Sequence, residues 1–389
     1  MKILVVAHDS NFNGGANRSL IMVMEKLIKD YGVFFEVITP KKNGPLNKKL
    51  DEMNIKYYSL PYFGAVSVIR DDGKDWMRRG KVFFGYYIEN LWSIIFHRKL
   101  KNSEFDLVYT NTRLPILGAL IAKRLNIPHV VHAREFLGDR PLFGKWGYKE
   151  VYRFSSRIIL ISNSLRNDFA NHVPNDKLIA IHNGIDSPLG LAPAFLNNKN
   201  KKNSIFNILI TGRLVPDKAQ LDAIKATELL INENRKKIHL HIVGSTPNIY
   251  DKWYADGLYK YVDENGLNGF VTFHGEVSDM VAIRKGMDIE LMCAPKETFG
   301  RVTVEGMRSG LFLIGTNSGG TPEIITDYET GLLYEAENVE DLKEKIKIAI
   351  NDSFLFEKIA KKGYGHAISN FTPEKNVSEI YQVFVSVIK

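Results

Sequence analysis

The sequence predicts an α/β protein made of two doubly wound domains, and three observations support this fold class. Short apolar runs alternate with longer segments of helical periodicity, as in parallel sheets that are covered by helices on both faces. The alternation breaks once, at a polar stretch near the middle of the chain, and then restarts. The chain has 389 residues, a length that suits two domains at ~150 residues per domain.

The first half of the chain contains apolar runs of strand length that are separated by helical patterns. The predicted strands are Ile3–Ala7, Phe34–Thr39, Leu107–Thr110, His129–Ala133 and Ile158–Ile161. The predicted helices are Ala16–Lys29, Leu114–Leu125 and Ser164–Asn171. We assign residues 1–186 to an N-terminal domain.

The break in the pattern covers residues 187–203. It begins with the Pro- and Gly-containing segment Ser187–Pro193 and continues with the polar, cationic segment Asn197–Ser204. This composition is typical of a linker.

The second half repeats the alternation. The predicted strands are Asn207–Thr211, Ile238–Val243, Val271–Phe273, Ile289–Met292 and Phe312–Gly315. The predicted helices are Ala219–Asn232, Val302–Ser309 and Val339–Asn351. We assign residues 204–372 to a C-terminal domain, and we expect residues 373–389 to form a helix that packs back towards the N-terminal domain.

Composition excludes several classes of protein. With 44% apolar and 25% charged residues, the chain is not a disordered, collagen-like or disulfide-stapled protein. No run of ~18 uncharged apolar residues predicts a membrane-spanning helix. The apolar run at the N-terminus is shorter than a signal peptide requires, and the single cysteine, Cys293, cannot form an internal disulfide. We therefore expect a cytoplasmic protein.

The charge is distributed unevenly along the chain. Residues 1–185 carry 28 Lys+Arg and 17 Asp+Glu, a net charge of +11, whereas residues 186–389 carry 24 and 27, a net charge of −3. Such asymmetry indicates an anionic partner for the first half, although a Lys-rich composition that serves solubility is an equal alternative. We find no nucleic-acid-binding motif, so we expect no nucleic acid partner.

Two motifs that suit phosphate groups follow predicted strands. Gly14-Gly15 opens the first helix, where glycines allow close backbone approach and the helix N-terminus attracts anions. Arg213 and Lys218 flank a Pro turn after the strand Asn207–Thr211, and two cations there suit a diphosphate. Ordinary turns with solvated cations are the alternative for each motif taken alone.

The most specific motif is the segment from Pro295 to Glu305. Glu297 precedes a helix that begins near Arg301, and Glu305 lies in the second turn of that helix. The helix N-terminus suits phosphate oxygens, and the carboxylates suit the hydroxyls of a sugar and a ribose. The alternative is a helix-capping Glu followed by a solvated one. Ligands of parallel sheets bind beyond the carboxyl ends of the strands, which predicts a site in a cleft between two facing domains.

With these motifs in place, the chain resembles family 4 of the glycosyltransferases, retaining enzymes of the GT-B fold that use nucleotide-sugar donors. The GT-B fold has two Rossmann-like doubly wound domains that face each other across a cleft. The resemblance rests on motifs in family order that span almost the whole chain: Gly14-Gly15-Ala16, Asn183-Gly184-Ile185-Asp186, Gly212-Arg213-Leu214 with Lys218, Glu297 to Glu305 with Phe299-Gly300, Gly319-Gly320-Thr321-Pro322-Glu323 and Gly331-Leu332-Leu333.

The resemblance implies that residues 1–186 form the acceptor-binding domain and residues 204–372 the nucleotide-sugar donor-binding domain, and it gives roles to residues of the second half. Arg213 and Lys218 bind the donor diphosphate, Glu305 accepts from the ribose, and Glu297 holds hydroxyls of the donor sugar. The nucleotide base lies near Gly244 and residues 276–278. The backbone N–H groups that meet sugar and phosphate belong to Phe299, Gly300, Arg301 and Val302.

The resemblance also implies roles in the first half. Gly15 closes over the phosphates, and His132 contacts the donor sugar and is needed for activity, whereas a lone His is more often a packing residue. Either Arg134 or Glu135 orients the acceptor. One residue departs from the family, because Ala219 stands where a Gly usually follows the Lys.

The mechanism that the resemblance implies is a retaining front-face substitution with His132, Glu297, Arg213 and Lys218 as the catalytic residues. We find no D-x-D motif and no His/Asp/Glu cluster, so we expect no metal and no cofactor, with the cations and the helix dipole stabilising the leaving diphosphate. A UDP-hexose is the favoured donor. The alternatives are a nucleotide-sugar epimerase of the same fold and a catalytically inactive nucleotide-sugar-binding protein.

Residues 78–101 combine aromatic and aliphatic side chains with basic ends. Residues 70–102 hold eight Lys+Arg and four Asp+Glu, a pattern that favours a helix lying on an anionic membrane surface. The alternative is a helix buried on the first sheet with a cationic end. Membrane contact favours a peripheral protein on the inner face of the membrane and a lipid-linked glycan acceptor, such as a polyprenyl-diphosphate sugar, in the synthesis of cell-surface polysaccharide.

Overall fold

The computed structural model describes residues 1–11, 15–62, 75–100, 102–112, 115–136, 146–186, 205–233, 237–246 and 251–388. The chain forms two compact units, one comprising Met1–Gly184 with Pro373–Lys389 and the other Ile185–Thr372. The predicted linker at 187–203 lies outside the described residues.

The first unit is built on a parallel sheet of seven strands. They are β1 (Lys2–Val6), β2 (Phe34–Thr39), β3 (Lys56–Ser59), β4 (Leu107–Asn111), β5 (His129–Ala133), β6 (Arg157–Leu160) and β7 (Leu178–Ala180). The helices between them are α1 (Gly15–Tyr31), α2 (Pro45–Glu52), α3 (Asp75–Leu100), α4 (Leu117–Leu125), α5 (Trp146–Phe154) and α6 (Asn163–Ala170). The strand order is β3-β2-β1-β4-β5-β6-β7, so the order reverses between β1 and β4.

Both faces of the first sheet are buried, as β1 illustrates. Ile3 and Val5 pack into an apolar cluster on one face, and Leu4 and Val6 pack into a separate cluster on the other. Side chains alternate between the two faces of a strand, so a strand with helices on both sides is apolar throughout. This burial explains why the sequence of β1 is a continuous apolar run.

The second unit contains a parallel sheet of six strands. They are β8 (Phe206–Thr211), β9 (Ile238–Val243), β10 (Val271–Gly275), β11 (Ile289–Met292), β12 (Phe312–Thr316) and β13 (Leu332–Tyr334). Its helices are α7 (Gln220–Asn232), α8 (Lys252–Glu264), α9 (Met280–Lys285), α10 (Arg301–Arg308), α11 (Val339–Asn351) and α12 (Ser353–Asn370). The strand order is β10-β9-β8-β11-β12-β13, which reverses between β8 and β11.

The last helix, α13 (Pro373–Val387), belongs to the first unit. Its apolar side chains, including Val377 and Phe384, join the cluster that contains Ile3 and Val5. The ring of Tyr381 stacks on that of Tyr31 in α1 at a centroid distance of 4.0 Å.

The predicted class of two doubly wound α/β domains is confirmed. Each predicted strand is present within two residues of its predicted ends. That the domains face each other across a cleft stays a prediction.

Candidate functional site

The predicted donor-binding residues of the second unit converge where its strand order reverses. β8 ends at Thr211 and its neighbour β11 ends at Met292, so the turn after β8 and the loop after β11 leave the same edge of the sheet. Doubly wound sheets bind ligands at this position. The turn carries Arg213 and Lys218, and the loop carries Glu297.

The structure brings Lys218 and Glu297 into direct contact. The ammonium of Lys218 is ion-paired with the Oε2 atom of Glu297, and the side chains remain 27% and 15% exposed. The second carboxylate oxygen of Glu297 accepts a hydrogen bond from the Thr298 N–H at 3.2 Å. The Lys218 ammonium, which suits a diphosphate, therefore holds an anion supplied by the protein itself.

Arg213 lies on the exposed side of the same turn. Its backbone carbonyl accepts a hydrogen bond of 2.9 Å from the side-chain amide of Gln220, the first residue of α7. Between them, Ala219 takes the left-handed conformation, with φ of +49°. This conformation explains why a glycine usually stands at this position, because left-handed backbone is costly for any residue with a Cβ.

Gly244, near which the nucleotide base is expected to lie, stands at a position where backbone packing requires a glycine. It has φ of +146°, and a Cβ there would overlap the carbonyl oxygen of Gly212 at the end of β8. Nearby, the Ser245 hydroxyl lies 3.4 Å from the carboxylate of Glu276. A side chain at Gly244 would push the ends of β8 and β9 apart.

The helix N-terminus predicted to hold phosphate is present in α10. Gly300 has φ of +92°, precedes the helix, and provides no side chain to cap it. The ring of Phe299 is buried against Phe371, with 5.8 Å between ring centroids. Phe299 therefore anchors the loop, while the half-buried Arg301 and Val302 begin an uncapped helix with positive potential at its start.

The pair Gly319-Gly320 lies directly against the loop that carries Glu297. The Gly320 N–H donates to the Glu297 carbonyl at 2.7 Å, and a Cβ at Gly319 would overlap that carbonyl oxygen. A Cβ at Gly320 would overlap the Thr298 carbonyl. Sequence analysis included Gly319-Gly320 in a motif but gave the pair no role. The structure shows that the two glycines permit close backbone packing behind Glu297.

Glu305 is held by a buried arginine that sequence reasoning missed. Arg284 of α9 contacts Glu305 at 3.2 Å and forms a two-point ion pair with Glu290 of β11, at 3.0 and 3.1 Å. Burial raises the pKa of Glu290, against the opposing influence of Arg284. Arg301 approaches Glu305 to 3.8 Å from the first turn of α10.

The Arg284 cluster leaves one side of Glu305 accessible, because its side chain is 24% exposed whereas Glu290 is 1% exposed. Gly306 makes room for the cluster, since a Cβ there would overlap a Glu290 carboxylate oxygen. The signal that sequence reasoning had available was Glu290, an acid within an otherwise apolar strand, which requires a buried cation as partner.

His132 lies at the end of β5 in the first unit and is completely buried. Its Nδ1 atom lies 2.6 Å from the Tyr109 hydroxyl and 3.3 Å from a guanidinium nitrogen of Arg134. Arginine only donates hydrogen bonds, so Nδ1 is an acceptor and the neutral ring carries its hydrogen on Nε2. Burial, and secondly the Arg134 charge, hold the pKa of His132 well below its usual range.

The Nε2 atom of His132 has no hydrogen-bond partner among the described residues. The N–H at this atom is therefore a buried donor that is available to a ligand, on a ring that is neutral at physiological pH. Buried polar atoms are rarely left unpaired, so this atom is a candidate ligand contact.

Of the two residues that follow, Arg134 is the one that points inward. It is buried, and it donates to the side chains of Asn111 and Asn183 at 2.8 Å each. Glu135 is half-buried. Because Arg134 is engaged by protein acceptors, it positions the end of β5 and fixes Asn183 of the Asn-Gly motif.

Gly15 is exposed and is the first residue of α1, whereas Gly14 lies outside the described residues. Asn17 is buried and donates to the carbonyls of Asp9 and Asn11, at 3.1 and 2.6 Å. These bonds tie the loop after β1 to the beginning of α1. Gly15 and His132 belong to the first unit, and the other predicted site residues belong to the second.

Two further observations concern metal ions and membranes. Within the part of the chain that the structure describes, no group of three or more His, Cys, Asp or Glu side chains is arranged to hold a metal ion. In the same part, none of the helices has the length and apolar character needed to cross a bilayer.

Two family models match consecutive parts of the chain. The model of glycosyltransferase family 4 matches residues 13–187, and the model of glycosyl transferases group 1 matches residues 194–366. The two ranges meet at the predicted linker.

Curated relatives carry transferase names. An uncharacterised glycosyltransferase of Methanocaldococcus jannaschii is 27% identical over 73% of this chain and 76% of its own. The capsular polysaccharide biosynthesis glycosyltransferase CapM of Staphylococcus aureus is 25% identical over 60% of this chain and 62% of its own.

Solved structures share the fold. The Anabaena protein HepE in complex with UDP has a TM-score of 0.81 and 20% identity, over 99% of this chain and 100% of its own. Its complex with UDP-glucose has a TM-score of 0.77 and 21% identity, over 99% and 100%.

Proposed function

Because this chain belongs to glycosyltransferase family 4, we propose that it is a retaining hexosyltransferase that uses a nucleotide-sugar donor, with a UDP-sugar favoured. The observation that carries the proposal is the cation–carboxylate pair of Lys218 and Glu297, which lies where the strand order of the second sheet reverses. An uncapped helix N-terminus follows the same loop. Cation, carboxylate and helix terminus together match a sugar diphosphate.

Donor binding follows from these contacts. The diphosphate takes the place of the Glu297 carboxylate on Lys218, joined by Arg213 and the N–H groups at the start of α10. Glu297 is then released to accept hydrogen bonds from the hydroxyls of the donor sugar. Glu305, held by Arg284, accepts from the ribose hydroxyls. UDP is the nucleotide in the complexes of HepE, which supports the preference for uridine.

Sugar transfer proceeds as a front-face substitution without a metal. The acceptor oxygen bonds to the anomeric carbon on the face from which the phosphate oxygen departs, and that phosphate oxygen takes the acceptor proton. Configuration at the anomeric carbon is retained. Lys218, Arg213 and the α10 dipole stabilise the charge that develops on the diphosphate. His132 donates its Nε2–H to a hydroxyl of the donor sugar.

The acceptor we propose is a hydroxyl of a lipid-linked glycan in cell-surface polysaccharide synthesis, reached from the inner face of the membrane. Two observations support this assignment. One relative is named for capsular polysaccharide biosynthesis, and the first half of the chain carries the net positive charge that suits an anionic surface.

The test begins with thermal stabilisation of the purified protein by UDP-hexoses and GDP-hexoses. The best donor is then assayed with lipid-linked glycan acceptors, and NMR assigns the anomeric configuration of the product. We expect transfer with retention, undiminished by a chelator. Lys218→Met should abolish transfer, whereas the matched variant Lys252→Met, at an exposed position of α8, should not.

Three outcomes would contradict the proposal. Conversion of the donor sugar without an acceptor would identify an epimerase. Donor binding with neither transfer nor hydrolysis would identify an inactive binding protein. Loss of transfer in the presence of a chelator would contradict a metal-independent mechanism.

A further inference from the structure

Helix α3 packs against the protein with a mixed polar and apolar side and presents a second, largely apolar side to solvent. Eight of its large apolar residues are exposed, with Phe83 at 75%, Trp76 at 74% and Tyr87 at 63%. The complete set is Trp76, Met77, Phe83, Phe84, Tyr87, Leu91, Ile94 and Ile95. The buried positions of the helix are Val82, Gly85, Glu89, Ser93, Phe96 and Leu100. Phe96 and Leu100 do pack in the cluster that contains Leu4 of β1, as the alternative of a helix on the first sheet requires, but this packing leaves the eight residues above exposed.

The exposed apolar residues form one continuous stripe. At 3.6 residues per turn, the eight side chains fall within an arc of about 120° of the helix circumference, over about 30 Å of its length. A contiguous apolar surface of this kind marks an interaction site.

Specific hydrogen bonds hold α3 in this orientation. One carboxyl oxygen of Glu89 accepts from the Ile116 and Leu117 N–H groups at the start of α4, both at 2.8 Å. Arg124 of α4 donates to the side chains of Ser93 and Asn90, each at 2.9 Å. Rotating the helix to bury its aromatic side chains would break these bonds and leave the N-terminus of α4 without its acceptor. The stripe therefore faces outward in the folded protein.

The charges on α3 indicate which partner covers the stripe. The exposed charged residues are Arg79 and Lys81 towards one end and Arg98 and Lys99 towards the other. The sequence of α3 contains two acids, Asp75 at its first position and Glu89, which is buried. A second copy of the chain docked on the stripe would bring these cations against each other. An anionic lipid headgroup layer pairs with all of them while the aromatic rings enter the boundary with the acyl chains.

We infer that the outward face of α3 docks the first unit on the surface of an anionic phospholipid bilayer. The inference deepens the proposed function and rests on it in so far as the acceptor is lipid-linked. It places the enzyme at the surface where such an acceptor is found.

The experiment is co-sedimentation of the full-length protein with vesicles, without donor or acceptor. We expect binding to phosphatidylglycerol vesicles at moderate salt and little binding to phosphatidylcholine vesicles. Phe83→Ser combined with Phe84→Ser should weaken the binding on the order of tenfold or more. The matched double variant Trp253→Ser with Phe354→Ser removes aromatics that are 66% and 78% exposed in the second unit, and it should bind like the unmodified protein.

The cationic residues give a second measurement. The single substitutions Arg79→Gln and Lys81→Gln should each weaken binding to the anionic vesicles about fivefold at low salt. Circular dichroism melting and the affinity for UDP should not change in the Phe83/Phe84, Lys81 and Trp253/Phe354 variants, since these side chains are exposed.

Three results would overturn the inference: no binding to anionic vesicles at low salt, equal binding by the Phe83/Phe84 variant, or self-association that the same variant abolishes. The last result would assign the stripe to a second copy of the chain. A protein that binds vesicles but not UDP would refute the proposed function and leave the docking face intact. A protein that binds UDP but not vesicles would do the reverse.

Discussion

Replacing Glu297 with Gln should change the binding of UDP and of a UDP-sugar in opposite directions. In the structure the Glu297 carboxylate occupies the Lys218 ammonium that we assign to the diphosphate. A UDP molecule has to displace this carboxylate from Lys218, and it has no donor-sugar hydroxyls to form hydrogen bonds with the released carboxylate. A UDP-sugar displaces it too, but the released carboxylate then accepts hydrogen bonds from the sugar hydroxyls.

The exposure of the pair sets the magnitude. With side chains 27% and 15% exposed, Lys218 and Glu297 form a partly solvated ion pair worth about 1 kcal/mol. Glu297→Gln should therefore tighten UDP binding by up to about fivefold. Loss of hydrogen bonds from sugar hydroxyls to a charged acceptor costs about 1.5–3 kcal/mol, so the preference for the UDP-sugar over UDP should fall by roughly ten- to a hundredfold.

Isothermal titration calorimetry with UDP and with the preferred UDP-sugar measures both effects. Lys218→Met serves as the comparison and should weaken both ligands, and Lys252→Met serves as the surface control. If Glu297→Gln weakened UDP binding as Lys218→Met does, the carboxylate would not compete with the diphosphate, and the exchange of partners on Lys218 would be refuted.

Three further predictions concern positions outside the reacting groups. Arg284→Lys keeps the charge but loses the two-point contact with Glu290, so it should lower the melting temperature and weaken UDP binding by about 1–3 kcal/mol through Glu305; unchanged UDP affinity would show that Arg284 does not position Glu305. Ala219→Gly should stabilise the protein in urea by up to about 1 kcal/mol, because Ala219 is left-handed at φ of +49°; a destabilised variant would contradict this account. Burial raises the pKa of Glu89 from 4.5 to about 8, so the folded state holds a proton that the unfolded state releases between these values, and stability should fall as pH rises from about 4.5 to about 8. Glu89→Gln should flatten that part of the pH profile in urea unfolding, and a slope unchanged by the substitution would assign the pH dependence to other groups.

Central strands were predictable from the sequence because they are buried on both faces. β1 is a nearly continuous apolar run for this reason, β8 is apolar from Ile208 to Ile210, and β11 is interrupted only by Glu290. The ends of all three could be placed within a residue. β3, β7 and β13 were missed, and each lies at an edge of its sheet. Edge strands are short and partly solvated, so their sequences lack the buried apolar run that identifies a strand.

Site residues were predictable from the sequence where they lie close together along the chain. They were not predictable where the fold brings distant positions together. Glu297, Gly300 and Glu305 lie on one loop and the helix after it, so their spacing carried the information. The ion pair of Glu297 with Lys218 joins positions that are 79 residues apart, and no local sequence pattern predicts it.

The orientation of α3 was predicted only in outline, because the aromatic residues and basic ends of 78–101 favoured a helix at a surface without showing which side packs inward. Periodicity identifies the apolar side of a helix, and the usual rule buries that side. Both sides of α3 carry apolar residues, since Phe96 and Leu100 are buried, and Glu89 fixes which side faces inward because its carboxyl oxygen accepts from the beginning of α4.

The course of the chain through the two units has a consequence for biosynthesis. The first unit includes α13, whose Val377 and Phe384 pack beside Ile3 and Val5. The ribosome must therefore translate Ile185–Thr372 before that helix exists, and during this interval the nascent first unit exposes the apolar surface that α13 later covers. A nascent chain in this state is a substrate for chaperones. The two units thus complete their folding in the reverse of the order in which they emerge.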